Sequence, residues 1–312
     1  MSSFQLTNSV TDQIKKAAQS YGACRTGIAR LDRVPDYVAE AYSRWLASGH
    51  NASMEYMERH EAVRNDPRLL LDGAKSIIVC AFNYFPEKIR NKSLPYIALY
   101  AYGNDYHTVL RKRLRPLAGV ISLITGATSR ICIDTAPLHE RYWAVQAGIG
   151  FTGRHSQLIV PGTGSYVFLA SIITTAELEP DKPCRLQCPA ECRRCIDACP
   201  GRAITTDSHI NASRCISYLT IEHRGPFPDG TNTANCLYGC DMCQRVCPLN
   251  NCVSPTAISE FSPQDTILTL DADTIPDMSP DEFSNTFRNS AIKRAKLEGL
   301  RRNAALIISQ RK

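Results

Sequence analysis

No stretch of this 312-residue chain is apolar for long enough to span a bilayer, and its N-terminal MSSFQLTNSVTDQIKK lacks the basic-then-apolar pattern of an export signal. The first absence excludes a membrane helix. The second points to a cytosolic protein whose thiols stay reduced. No internal repeat is visible beyond two similar cysteine runs, which excludes a repeat architecture. Lys and Arg are absent from residues 256–286, where Glu260, Asp265, Asp271, Asp273, Asp277, Asp281 and Glu282 make an acidic stretch. What remains is ordinary for a soluble globular protein, 44% hydrophobic and 21% charged, and long enough for one large domain and a small one.

Cysteine is not scarce. There are 14, and nine fall between Cys188 and Cys247, eight of them in a ferredoxin-like arrangement and Cys236 outside it. The first run carries Cys188, Cys192, Cys195, Cys199 and Pro200; Cys215 follows alone; the second run carries Cys240, Cys243, Cys247 and Pro248. Two closely spaced runs, each ending in Cys-Pro, match the bacterial two-cluster ferredoxin pattern, and soft thiolates suit iron–sulfur clusters. In that pattern the last cysteine of each run ligates the other cluster. Cys188, Cys192, Cys195 and Cys247 are therefore assigned to one [4Fe–4S] cluster, and Cys199, Cys215, Cys240 and Cys243 to a second. Three residues rather than two separate Cys188 from Cys192, and Cys184 competes for the first ligand position. Zinc is disfavoured because its structural sites pair ligands across a longer loop. Disulfides are disfavoured in a reduced compartment. Cys24, Cys80 and Cys132 lie in apolar stretches and are expected to pack as small core residues.

Strand and helix patterns alternate up to about residue 180, which implies an α/β domain. Helical spacing predicts helices over 9–21 and 35–47. Lys75 to Tyr84 reads as a buried central strand. Asp105 suits the cap of a long helix with Val109, Leu110, Leu114 and Ile121 inside and Pro116 as a possible kink. A short strand over 130–134 precedes a helix from Pro137 to Gln146. Residues 157–160 and 165–174 read as a hairpin around Pro161-Gly162-Thr163-Gly164. Trp45, Met54, Tyr56 and Met57 form an apolar group read as core. SPDEF, ending at Phe283, reads as the cap of a final basic helix. The parts are 1–180, a catalytic domain; 181–255, a double-cluster ferredoxin-like domain; and 256–312, an acidic linker with a basic helical tail.

Asp134 stands at a predicted strand end. It is a candidate general acid if partial burial raises its pKa, or else the N-cap of the next helix. Asp105-Tyr106-His107 contains the Asp-x-His of a cobalamin-ligating motif, but Leu110 replaces its glycine, so a histidine-ligated cobalamin is not supported. His107 is read as a helix-side histidine with a local hydrogen bond. Gly148, Gly150 and Gly153 mimic a dinucleotide fingerprint without its strand-then-helix context. From Asp281 to Lys312 there are eight basic and three acidic residues, nearly all of the chain's net +6. That tail is either a phosphate-backbone contact or a solvated face.

Beyond these patterns the chain resembles the epoxyqueuosine reductases. The resemblance runs through WLASGHNASMEYM, RNDPRLLLDGAKSIIV, YAYGNDYHTVLRKRL, IDTAPLHERYWAVQAGIGFTG, GSYVFLASI, the cysteine runs, RCISYLTIE and NSAIKRAKLEGLRRNAAL. It implies a nitroreductase-like, mixed α and β cobalamin-binding domain followed by the double-cluster domain and a helical tail. It further implies reduction of epoxyqueuosine to queuosine at the wobble position of tRNA, with base-off cobalamin and two [4Fe–4S] clusters. Asp134 is then the proton donor. Met57, Asp134, Leu158, Ser165 and Ser217 lie at the cobalamin, and Lys293, Arg294, Lys296, Arg301 and Arg302 at the tRNA. An external low-potential electron donor and a monomeric, cytoplasmic enzyme are expected. Two departures stand out. Gly153-Arg154-His155 replaces the family's Gly-Lys-Asn, and the first cysteine run has its extra residue. The chain also ends at Lys312, as in the shorter members without helical repeats. The alternatives are a cobalamin-dependent reductase of a small molecule, which would not bind tRNA, and a plain iron–sulfur electron carrier, which would not bind cobalamin.

Overall fold

The fold was analysed in a computed structural model, which describes residues 9–205 and 209–311. Its strands are β1 (Arg25–Arg30), β2 (Ser76–Asn83), β3 (Tyr96–Ile97), β4 (Ser129–Cys132), β5 (Phe151–Thr152), β6 (Leu158–Ile159), β7 (Val167–Thr174) and β8 (Cys236–Tyr238). The main sheet has the order β1-β2-β7-β4, and every pairing in it is antiparallel.

β2 is the buried central strand that its apolar run predicts. Side chains alternate across a strand, so one run feeds two cores. Ile78, Cys80 and Phe82 enter the larger one, and Ile77, Val79 and Ala81 the smaller one on the other face. Helix Tyr106–Thr125 packs Val109, Leu110, Leu114, Leu117 and Ile121 into the larger core, runs continuously through Pro116, and ends at Gly126 with φ +70°. A left-handed residue at this point is the usual helix stop, and glycine adopts it without a Cβ clash. Deleting a packed side chain such as Leu114 would cost about 2–5 kcal/mol.

Several local expectations change. β6 pairs with β5, not with β7, although Val160 and Gly164 still bridge across the intervening turn. The helix expected from Pro137 begins at Glu140. Ser279 and Glu282 do form a capping box, but it starts the separate short helix Pro280–Thr286 rather than the basic helix, which spans Lys296–Gln310. Cys80 and Cys132 are buried as expected, whereas Cys24 is exposed. Met54 packs against the small buried cluster of Ala212, Tyr218 and Leu219, whereas Tyr56 is 43% exposed and Trp45 donates to Ile210 O, so the group packs on the cluster segment rather than in either main core.

The segments interlock. β3 pairs in parallel with β8, joining residue 96 to residue 236. The larger core draws side chains from Ile14 through Ile307. Asn303 of the final helix is fully buried and donates to Thr220 O (2.8 Å) and Leu237 O (2.9 Å), which fixes that helix to the cluster segment.

Candidate active site

Asp105 is the N-cap of the helix Tyr106–Thr125. Its Oδ1 accepts from the His107 backbone N–H at 3.0 Å, as a capping carboxylate should, and lies 2.8 Å from His107 Nδ1. The cap thereby orients the imidazole. His107 Nε2 then meets Asp134 Oδ2 at 3.1 Å. Asp134 follows β4 in a tight turn, with φ +49° and a 2.5 Å bond from Thr135 N to Ile133 O across it. A non-glycine residue in this region is strained, and such strain collects at functional positions. Asp134 does not cap the next helix. Its own N–H donates to Glu140 Oε1 at 3.1 Å.

The charges on this group are not those that burial alone would give. Crowding by neighbouring protein atoms pushes the Asp134 carboxyl up although it stays partly open to solvent, but the His107 hydrogen bond and charge, with Tyr106 and Arg294, hold it below its ordinary value. The condition for Asp134 to carry its own proton is therefore not met by its protein surroundings alone. Burial works against a charged His107, yet Asp105 and Asp134 raise it to about 9, so the proton rests on the imidazole. Burial and the nearby Asp134 charge lift Glu140 to about 7. Tyr106 stacks on His107, with ring centroids 4.1 Å apart, and on Phe168 at 4.4 Å, which fixes the dyad against β7. Arg294 enters from the C-terminal segment, paired with Glu222 through 2.7 and 2.8 Å bonds and 5.9 Å above the Tyr56 ring. The Asp134 side chain remains 54% exposed, open to a ligand.

The eight thiols fall into two neighbourhoods. Burial pushes Cys195 up, and Cys188 and Cys247 push it the same way; burial likewise raises Cys247, with Cys188 and Cys192 beside it. Elsewhere, burial raises Cys243 and Cys215; Cys240, Cys215 and Cys199 surround the first, and Cys240 and Cys199 the second. Each set mixes cysteines from both runs. Cys184 packs beside Cys188 on Phe151, Ile159 and Cys247. Cys236 is a ninth nearby thiol, buried next to Cys240.

Comparison with known proteins bears on the whole chain. The sequence profile described as "Epoxyqueuosine reductase QueG, DUF1730" matches residues 64–135, and a "4Fe-4S double cluster binding domain" matches residues 184–250, a span that includes all eight thiols. The epoxyqueuosine reductase of Cellulophaga algicola is 38% identical over 94% of this chain and 96% of its own length. That of Leadbetterella byssophila is 40% identical over 95% and 97%. The chain belongs to the epoxyqueuosine reductase family. Among solved structures, an epoxyqueuosine reductase in complex with an epoxyqueuosine-modified tRNA-Tyr stem loop superposes with a TM-score of 0.86 at 31% identity, over 95% of this chain and 80% of that one. The Streptococcus thermophilus reductase gives 0.87 at 29% over the same shares.

Within this reductase the remaining expected residues divide. Met57 is half-buried beside Arg64, whose Nη2 lies 3.9 Å from its sulfur. Leu158 is buried in the smaller core, and Ser217 is half-buried on the helix Ile216–Ile221. Ser165 is buried with its hydroxyl already committed, donating to Gln244 Oε1 and accepting from Asn250 Nδ2, both at 2.8 Å. Of the basic set, Lys293, Arg294 and Lys296 are exposed. Arg301 instead donates to Met278 O, and Arg302 to Leu219, His223 and Gly225 carbonyls while lying 4.1 Å from the Phe227 ring. Those two hold the fold together. The sequence reading missed His107's long-range partner and the roles of Glu140 and Tyr106. The signal was present in Asp105-Tyr106-His107, where a capping aspartate two residues before a histidine fixes the ring.

Proposed function

We infer that this chain reduces epoxyqueuosine to queuosine in tRNA, with Asp134 and His107 as its proton-handling pair and the two thiol sets as its cluster ligands. The relatives' names and their end-to-end identity support the reaction. The observation that carries the chemistry is the His107–Asp134 bond, held at one end by a helix cap and at the other by a strained turn.

Cys188, Cys192, Cys195 and Cys247 would hold one cluster and Cys199, Cys215, Cys240 and Cys243 the other; the interleaved grouping fits that assignment. Cobalamin fits the residues at hand. Both nitrogens of His107 are engaged by Asp105 and Asp134, so this imidazole would serve proton handling rather than metal ligation. Met57, Leu158, Ser217 and the backbone around Ser165 would line the cobalamin.

Opening an epoxide to an alkene takes two electrons and two protons and releases water. Bound cobalamin supplies reduced cobalt for breaking the carbon–oxygen bond, and the clusters supply electrons one at a time from an external low-potential donor. The protein supplies the first proton, and solvent the second as the oxygen leaves as water. A substrate closing over Asp134 removes water from its carboxylate, which favours the neutral acid. The proton then passes along the 3.1 Å bond from His107, and Asp134 presents it to the departing oxygen. Lys293 and Lys296, exposed on either side of Arg294 in the chain, would meet tRNA phosphates. The enzyme would act as a cytosolic monomer; among the described residues no helix is long and apolar enough to cross a membrane. Anaerobic reconstitution followed by assay on tRNA carrying epoxyqueuosine tests this reading.

A further inference from the structure

The two oddities of the sequence meet in space. Arg154 sits at the tip of the β5–β6 hairpin, where Gly153 N donates to Gln157 O (2.9 Å) and Ser156 N to Gly153 O (2.8 Å). From there its guanidinium reaches the loop between Cys188 and Cys192. Nη1 donates to Pro189 O at 3.3 Å and to Cys192 O, and Nη2 donates to Ala190 O at 2.6 Å. The same loop is closed by a bond from Cys192 N to Pro189 O at 3.0 Å, so the extra residue is taken up in a turn. The hairpin also packs Phe151 and Ile159 against Cys247, with Cys188 at the edge. Its body therefore touches one thiol of the first set while its tip grips the loop between two others.

We propose that Arg154 is a positioning residue for the first cluster: it clamps the enlarged Cys188–Cys192 loop so that both sulfurs face one cube, and it places a fixed positive charge beside that cube. The proposal rests on the cluster assignment above. The clamp follows from geometry, since a planar fork can bind several carbonyls at once and an ammonium cannot reproduce that grip. All three acceptors are carbonyl oxygens, which leaves the guanidinium its full charge. A cluster gains negative charge on reduction, so a neighbouring cation favours its reduced form and raises its potential. The clamp also ties a hairpin of the cobalamin-side domain to the cluster segment.

The test uses anaerobically reconstituted protein, with iron release to a chelator and potentiometric EPR as readouts. In Arg154→Gln, about half of the iron should leave on the order of tenfold faster, as expected for loss of an outer-shell partner. One of the two cluster potentials should fall while the other stays. Arg154→Lys should keep the potential but not the slow release, which covers the case in which the Gln variant does not fold. Deleting Pro189, which restores two-residue spacing, should return iron release in Arg154→Gln toward the wild-type rate. Unchanged release and unchanged potentials in both substitutions would overturn the clamp alone, as would a Pro189 deletion that brings no rescue. A wild type that takes up no iron would overturn the cluster assignment and this proposal with it.

Discussion

His107 Nε2 lies 3.1 Å from Asp134 Oδ2, joining the first turn of a helix to the turn that follows β4. Asp105 anchors the far side of the same ring at 2.8 Å. A carboxylate, an imidazole and a second carboxylate in line make a proton store whose resting proton sits one step behind the group that meets the ligand.

That placement has a pH signature. A histidine raised to about 9 in the fold, from its ordinary 6.5, contributes stability in full below about pH 6.5 and loses it as pH rises through about 9. In NMR titrations the His107 ring should hold its proton to about pH 9 in the wild type and release it at lower pH in Asp134→Asn. A His107 titration that is the same in both proteins would remove the pair from the account.

The imidazole should matter to rate as well as to charge. His107→Gln keeps a hydrogen-bonding side chain but cannot relay a proton. Turnover should fall by roughly 10²-fold, within the range for general acid–base groups, with cofactor absorbance retained. Full activity would mean that Asp134 draws its proton straight from solvent.

Cysteines from opposite ends of the segment should behave as members of one set. Cys195→Ala and Cys247→Ala should each lose the same cluster signal, leaving about four irons per chain, and Cys199→Ala and Cys243→Ala should each lose the other. Iron counts that instead pair Cys195 with Cys199 would contradict the interleaved grouping.

The sequence revealed the pieces that depend on local pattern. The buried run of β2, the Asp105 cap and the spacing of the cysteine runs were all legible, because periodicity, capping and ligand spacing are short-range. It was blind where the decisive contact is long-range. His107 was read as a local histidine because its second partner is 27 residues away. Arg302 was placed at the tRNA by family resemblance, and charge alone does not tell a solvated guanidinium from one bound to three carbonyls. β5 went unread because a two-residue strand has too little pattern to register.

The contacts of the basic tail separate side chains that bond within the fold from those that are exposed. Arg302→Ala should cost about 2–3 kcal/mol of stability, since it strands part-buried carbonyls, and should leave the salt dependence of tRNA binding unchanged. Lys293→Glu with Lys296→Glu should leave Tm close to wild type, weaken tRNA binding and flatten its salt dependence. Wild-type binding by the double lysine variant would reassign that surface to solvent.

The most direct test compares wild type and Asp134→Asn, each reconstituted anaerobically with iron, sulfide and cobalamin and then given tRNA carrying epoxyqueuosine and a low-potential reductant. The account predicts that both proteins retain about eight irons and bound cobalamin, that the wild type yields queuosine, and that the variant is at least roughly a hundredfold slower. A wild type that binds iron but leaves cobalamin in solution, or a variant that turns over at the wild-type rate, would contradict it.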